Sequence, residues 1–165
     1  MIFTSNYENA KEGNLVSISM DGGKRAGFNG PWLKELAPNE MIYSHWNNQE
    51  SWDQYYINQY YYQVLKGSLY LLKDLVEKYE GYKKDIILLS YAKPDELSHR
   101  YLVASYLEKK FGIVVPELFI DEEGNYLTTT KKPKYVKDKL LRLVQINERW
   151  YNTYPEVRLW GYLVY

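Results

Sequence analysis

The chain of 165 residues contains no cysteine. Disulfide frameworks, thiolate metal sites and cysteine nucleophiles are excluded together, and the composition fits a reducing compartment. Only two histidines are present, His45 and His99. That is too few for a histidine-rich metal site, so no metal and no cofactor is expected. There is no surplus of charge either: 21 Lys+Arg balance 21 Asp+Glu, and the sequence pI is 6.7. General nucleic-acid binding requires a basic excess to neutralise phosphates and is not expected, although a local basic patch is compatible with the balance. No run approaches the roughly 20 apolar residues that span a bilayer, so no membrane partner is expected. Met1-Ile2-Phe3-Thr4-Ser5-Asn6 has neither the basic start nor the apolar run of a secretory signal, which predicts a cytoplasmic protein. No G-x-S-x-G elbow is present to strain a serine nucleophile.

What is present is enough apolar material for one core. Hydrophobic residues make up 45% of the chain, and the length fits a single domain. Nineteen tyrosines are the oddest feature. An apolar body with a polar tip suits half-buried grooves and interfaces; compositional drift in a low-GC genome explains the same number.

Periodicity divides the chain into short elements. Ile2–Thr4 is an apolar run that stops at the polar cluster Ser5–Asn9, and Leu15–Met20 alternates with period two as a strand does. A glycine-bearing loop follows, Asp21-Gly22-Gly23-Lys24-Arg25 and then Gly27-Phe28-Asn29-Gly30-Pro31. Leu33–Leu36 fits one helical turn and Met41–Tyr43 a short strand. Ser51 and Gln54 stand at capping-box spacing before a helix from Trp52 to Leu65. The helix bends or breaks at Gly67-Ser68 and resumes to Gly81. Asp85–Ser90 is a continuous apolar run, the pattern of a strand buried on both faces. Pro94 or Asp95 is expected to open the next helix, which runs to Lys110 and stops at Gly112; Ile113–Val115 reads as a further strand. Alternating strands and helices predict an α/β domain. Residues 118–127 then read as a hairpin turning at Glu123-Gly124-Asn125, followed by a basic connector Lys131-Lys132-Pro133-Lys134. An amphipathic helix from Val136 to Trp150 and a closing strand over Val157–Tyr165 complete the chain.

Ligands of open α/β sheets bind outside the carboxyl ends of the strands. Three segments fall there: Ser5-Asn6-Tyr7, the loop from Asp21 to Gly30, and Ser90 through Arg100. The last carries most information. A buried strand delivers Ser90 and Tyr91, and Ser98, His99 and Arg100 fall in the first turns of a helix. Free N–H groups and the dipole favour an anion at that place. Arg100 is suited to clamp a phosphate, and His99 to switch a proton, provided Asp95 serves as N-cap and points back at its own backbone. The competing arrangement has His99 bonded to neighbouring backbone and Arg100 paired with Glu96 one turn earlier. The glycine loop matches no phosphate-binding or dinucleotide fingerprint; Lys24 and Arg25 give it charge, and an ordinary exposed loop is the alternative. In His45-Trp46-Asn47-Asn48, Trp46 is placed either to stack on a base or in the core.

The segments Ile2–Tyr7, Leu15–Ser19 and Leu36-Ala37-Pro38, with Ile87–Pro94 and Ser98–Ala104 above all, resemble the Domain of Unknown Function 488 family, common in bacteria and phages. Order and spacing agree over residues 1 to about 118, and the second block is the more specific. The resemblance implies a Rossmann-like fold, a mostly parallel sheet flanked by helices. It divides the chain into residues 1–118 and a C-terminal hairpin-helix-strand extension, 119–165, packed on the same domain. The family pattern has Cys-Tyr-Glu-Lys-Pro followed by Cys-His-Arg. Here Tyr91, Lys93, Pro94, His99 and Arg100 match, while Ser90 and Ser98 replace the cysteines and Ala92 replaces the glutamate. Serine keeps a hydrogen-bonding group but is a far poorer nucleophile at neutral pH.

A pocket that kept binding and lost turnover is therefore expected. Ser5, Asn6, Tyr7, Ser90, Tyr91, Ser98, His99 and Arg100 would line a site for a small phosphate-bearing molecule or nucleotide. By analogy, a phage protein of this kind would sequester a nucleotide signal in the host cytoplasm as a counter-defence. The second expectation is an enzyme hydrolysing, or transferring a glycosyl group from, a nucleotide or nucleoside, with His99 as general acid or base. The third is a protein-interaction module using the tyrosine-rich surface. The extension is open to three roles: covering the pocket, lengthening the sheet or forming a homodimer surface.

Overall fold

The computed structural model describes residues 1–40, 42, 52–81 and 84–153. Its centre is a five-stranded sheet of order β2-β3-β1-β4-β5. The strands are β1 (Ile2–Asn6), β2 (Leu15–Ser17), β3 (Ile86–Ser90), β4 (Glu117–Ile120) and β5 (Tyr126–Thr129). All neighbouring pairs are parallel except β4–β5. This is the expected mostly parallel, Rossmann-like α/β architecture. β1 and β3 run in register from Ile2 opposite Ile86 to Asn6 opposite Ser90, and every residue of β3 is buried, as its unbroken apolar run requires.

The pleat sorts these strands into two faces. Ile2, Val16, Ile86 and Leu88 face the large core. Helices α1 (Asp53–Tyr60), α2 (Leu69–Gly81) and α3 (His99–Phe111) supply its other side, with Val136, Leu140 and Val144 from the C-terminal region. Between α1 and α2 the helix widens over Tyr61–Leu65 and tightens at Lys66–Ser68, so the chain passes Gly67 without leaving helical geometry. The opposite face carries Ile87 and Leu89 under a smaller cluster of Tyr7, Ala10 and flanking Phe3, Leu15, Phe28 and Tyr91. Loops cover this second face.

Several expectations move. α3 opens at His99 rather than at Pro94 or Asp95. Its N-cap is Ser98, whose hydroxyl accepts from the Arg100 N–H, and Asp95 instead holds a left-handed turn with φ 69°. Pro94 cannot donate to a ladder and biases its neighbour away from helix, so the chain turns once more before the helix forms. Ile113–Val115 is not a strand. Val114 is exposed while Val115 is buried, and pairing begins only at Glu117, past Pro116. The hairpin comes out as read: Asp121 Oδ1 accepts from the Glu123 and Asn125 N–H groups, and Gly124 turns the chain at φ 85°. Helix α4 (Arg142–Thr153) follows a widened helical segment, Val136–Leu141. Of the expected strand at Met41–Tyr43 only Ile42 is described, and it is helical and buried. The Ser51 half of the capping box, the His45–Asn48 patch and the strand over Val157–Tyr165 lie outside the described residues.

Candidate functional site

The topology singles out one edge of the sheet. After Asn6, the chain of β1 turns to the second face, where Tyr7 and Ala10 pack. After Ser90, the chain of β3 passes to the first face and becomes α3. Asn6 and Ser90 are register partners at the carboxyl end. The edge where the continuations of adjacent strands part to opposite faces is the usual ligand position in such sheets. The Asn6 side chain spans it, with Nδ2 donating to the Ala92 carbonyl (3.4 Å) and Oδ1 accepting from the Asn9 N–H (2.8 Å).

Beneath the first face lies a closed polar network. Ser90 Oγ and Ser98 Oγ are 2.7 Å apart. Arg100 is fully buried. Its Nη1 donates to Ser90 Oγ (2.9 Å), the Ala92 carbonyl (2.8 Å) and Ser98 Oγ (3.3 Å), and its Nη2 to the Tyr101 hydroxyl (3.2 Å). Its Nε pairs with Glu117, 2.9 Å from Oε1, and Thr4 Oγ1 donates to Oε2 of the same carboxylate (2.7 Å). A buried guanidinium demands this full set of acceptors. The expected phosphate clamp is thus corrected: Arg100 is locked into the framework. It does not pair with Glu96 either, whose Oε2 accepts from the Lys93 N–H (3.3 Å). The Tyr135 hydroxyl accepts from the Ser98 N–H and donates to the Glu96 carbonyl, 3.1 Å each, tying the C-terminal region to the start of α3.

His99 diverges from Arg100. Successive helical residues point about 100° apart; His99 reaches the Ile18 carbonyl beyond β2 (2.6 Å), and Arg100 reaches β4. The carbonyl only accepts, so Nε2 carries the hydrogen. Burial pushes the imidazole pKa down to about 4, against the favourable carbonyl bond and with help from the Arg100 charge. The ring is neutral at pH 7. A shared hollow for His99 and Arg100 is therefore corrected as well.

The second face holds a different constellation. The Tyr7 hydroxyl lies 2.7 Å from both Ser17 Oγ and Ser19 Oγ, and its ring is 4.7 Å from that of Tyr91 and 5.8 Å from that of Phe28. Tyr91 donates to Asp21 Oδ2 (2.6 Å), and the Arg25 guanidinium sits 4.4 Å above the Tyr91 ring. Asp21 also accepts from the Gly23 and Arg25 N–H groups (2.8 and 3.1 Å). Burial opposes its ionisation, but these bonds outweigh it and hold the carboxyl below its ordinary value. Burial, followed by the Asp21 bond, pushes Tyr91 up to about 12, and burial raises Tyr7. Gly23 (φ 83°) makes the arrangement fit, since a Cβ there would stand 2.7 Å from the Tyr7 ring. Ser5 points to this face but closes on the Leu118 carbonyl (2.7 Å).

The eight expected residues thus gather at one end of the sheet but divide between its faces: Asn6, Ser90, Ser98, His99 and Arg100 on one side, Ser5, Tyr7 and Tyr91 on the other. Thr4, Ser17, Ser19, Asp21 and Glu117 were not anticipated. Asp21 was the most legible of these, because Asp-Gly-Gly signals a side-chain-capped turn; Glu117 shows only as a carboxylate interrupting an apolar stretch. Among the described residues, no group of three or more acidic or histidine side chains is placed to hold a metal ion, and no helix is long and apolar enough to cross a membrane.

No curated protein and no solved structure matches the chain. A family model described as the active DUF488-N3 subclade matches residues 10–111, which takes in the glycine loop, strand β3 and all of α3. Since that match spans more than half of the sequence, the chain belongs to the DUF488 family.

Proposed function

We propose that the protein binds a small phosphate-bearing ligand, a nucleotide or nucleotide-derived signal, at the carboxyl edge, and holds it intact. The observation that carries this reading is the Tyr7–Phe28–Tyr91 cluster at the point where β1 and β3 part, with Arg25 stacked 4.4 Å above Tyr91. Aromatic faces accept a base. Arg25 and its exposed neighbour Lys24 supply charge to a phosphate, while Asp21, the acid of the loop, is turned inward onto backbone N–H groups. A buried framework serine at each family cysteine position favours binding over covalent chemistry. A phage-borne member would act in this way by sequestering a host nucleotide signal.

Calorimetric titration against a nucleotide panel tests the reading. Micromolar binding is expected, weakened about tenfold, or roughly 1.4 kcal/mol, in Arg25→Ala. Absence of binding at millimolar nucleotide overturns it.

A second reading rests on the description of the matched family model as active: hydrolysis of, or glycosyl transfer from, a nucleotide or nucleoside. His99 is the candidate base in that case, through Nδ1, because Nε2–H is held by Ile18. Mass spectrometry after incubation with nucleotides separates the two. New products that vanish in His99→Ala support turnover, and ligand recovered intact supports binding.

A further inference from the structure

The basic connector Lys131-Lys132-Pro133-Lys134 plays no part in the carboxyl-edge site. It forms one wall of a separate cavity of about 570 Å³, whose other wall is the C-terminal half of α3. That half begins two turns past Ser98, about 10 Å along the helix axis. The volume is that of a small-molecule site.

The lining is built in three tiers. Val136 and Leu141 give an apolar floor. Lys109, Lys134 and Lys137 are exposed around the mouth, and none of the three makes an ion pair with a described residue. Ser105 lines the cavity from α3, is 2% exposed, and its hydroxyl has no hydrogen-bond partner among the described residues. A helical serine ordinarily satisfies its hydroxyl on the carbonyl one turn back, and a buried hydroxyl without a partner is costly. The wall itself is fixed rather than loose. Lys132 Nζ donates to the Val115 carbonyl (2.9 Å) and the Thr130 carbonyl (3.3 Å) and pairs with Glu108 (3.4 Å). The one acid of the lining is therefore neutralised within the wall. In a chain of zero net charge, the mouth concentrates three uncompensated cations.

We propose that this cavity is a second ligand site, for an amphipathic organic phosphate. Its anionic head is met by Lys109, Lys134 and Lys137, its apolar body lies on Val136 and Leu141, and an acceptor atom on that body takes the Ser105 hydroxyl hydrogen. Each tier selects one part of such a molecule. Inorganic phosphate satisfies the lysines alone, and a neutral ring satisfies the floor alone.

The probe is 4-nitrophenyl phosphate, followed by amide chemical shifts in a nitrogen-15 labelled sample and by calorimetry. Inorganic phosphate, phenyl phosphate and nitrobenzene serve as the partial ligands. Shifts are expected to centre on residues 105–109 and 134–137, with binding at least about tenfold tighter than that of inorganic phosphate, the factor given by about 1.4 kcal/mol. Lys134→Glu/Lys137→Glu alters two exposed side chains and is expected to weaken binding by a similar factor without changing the melting temperature. Ser105→Ala is expected to weaken 4-nitrophenyl phosphate several-fold while leaving phenyl phosphate, which has no acceptor for the hydroxyl, unchanged. Shifts centred on residues 19–28 instead, equal affinity for inorganic phosphate, or indifference to the double charge reversal would each overturn the proposal. The site does not rest on the carboxyl-edge reading, and the location of the shifts distinguishes failure of one from failure of the other.

Discussion

Glu117→Gln separates the two roles open to Arg100. The substitution preserves shape, removes the charge and leaves one acceptor oxygen in place of two. In the fold, Arg100 is fully buried with Nε 2.9 Å from one carboxylate oxygen, while the other oxygen takes the Thr4 hydroxyl at 2.7 Å. Leaving such a guanidinium without its counter-charge costs about 3–5 kcal/mol, whereas an exposed pair is worth about 0.2–1 kcal/mol. For a domain of this size each kcal/mol moves the melting temperature by about 2–4 °C, so Glu117→Gln is expected to melt roughly 6–20 °C lower. Urea unfolding with an unchanged m-value and scanning calorimetry read the loss directly. Arg100→Met/Glu117→Gln closes the cycle. With both charges gone, Ser90 and Ser98 still hold each other at 2.7 Å, and the double variant is expected to recover part of the stability, with a coupling above about 1 kcal/mol. A loss below about 1 kcal/mol in Glu117→Gln, accompanied by tighter anion binding, would show an Arg100 free to turn toward a ligand and would refute the framework assignment.

Three further outcomes follow from the geometry. His99 takes its proton at about 4 in the fold against 6.5 ordinarily; between those values the unfolded chain binds more protons, so this group removes about 2 kcal/mol of stability as the pH drops from 7 to 5, and urea titrations should show that slope flatten in His99→Gln. Gly23→Ala places a methyl 2.7 Å from the Tyr7 ring at a backbone φ of 83°, and should lower stability by more than the roughly 1–2 kcal/mol of the left-handed conformation alone, with a perturbed Tyr7 ring resonance in NMR spectra. Ser98→Ala removes the α3 cap and should cost about 0.5–2 kcal/mol in chemical denaturation; an unchanged midpoint would assign the cap to another group.

What the sequence shows well is whatever local chemistry decides. The continuous run of β3, the helix stop at Gly112, and the Asp121–Asn125 turn all depend on residues within a few positions of one another, and each falls where it is read. The start of α3 differs by four residues because two local rules compete: Pro94 suits a first helical turn, yet it also sets the chain in an extended turn, and Ser98, as good a cap as Asp95, lies beyond that turn. The strand after Gly112 is displaced for a different reason. Ile113–Val115 has the stronger β-propensity, but the parallel neighbour of Thr4 is Glu117, whose carboxylate serves both Thr4 and Arg100. That pairing spans 113 residues, and no local pattern contains it.

The same limit explains why the sequence gathers the candidate residues at one edge but does not separate the two faces. Their placement at the carboxyl ends follows from strand order. Which face each side chain takes follows from the pleat, and a single-residue difference reverses it. Ser90 and Tyr91 are adjacent in sequence and sit on opposite sides of the sheet, as do Asn6 and Tyr7. The polar network around Arg100 therefore lies on the first face of this edge and the Tyr7–Tyr91 cluster on the second. This division also gives the cysteine-to-serine replacements a physical meaning. With Ser90 Oγ and Ser98 Oγ both donated to by Arg100 Nη1, the two positions hold a structural arginine. The ligand binding proposed above therefore rests on Tyr91 and the exposed Lys24 and Arg25 of the second-face loop, and not on Arg100.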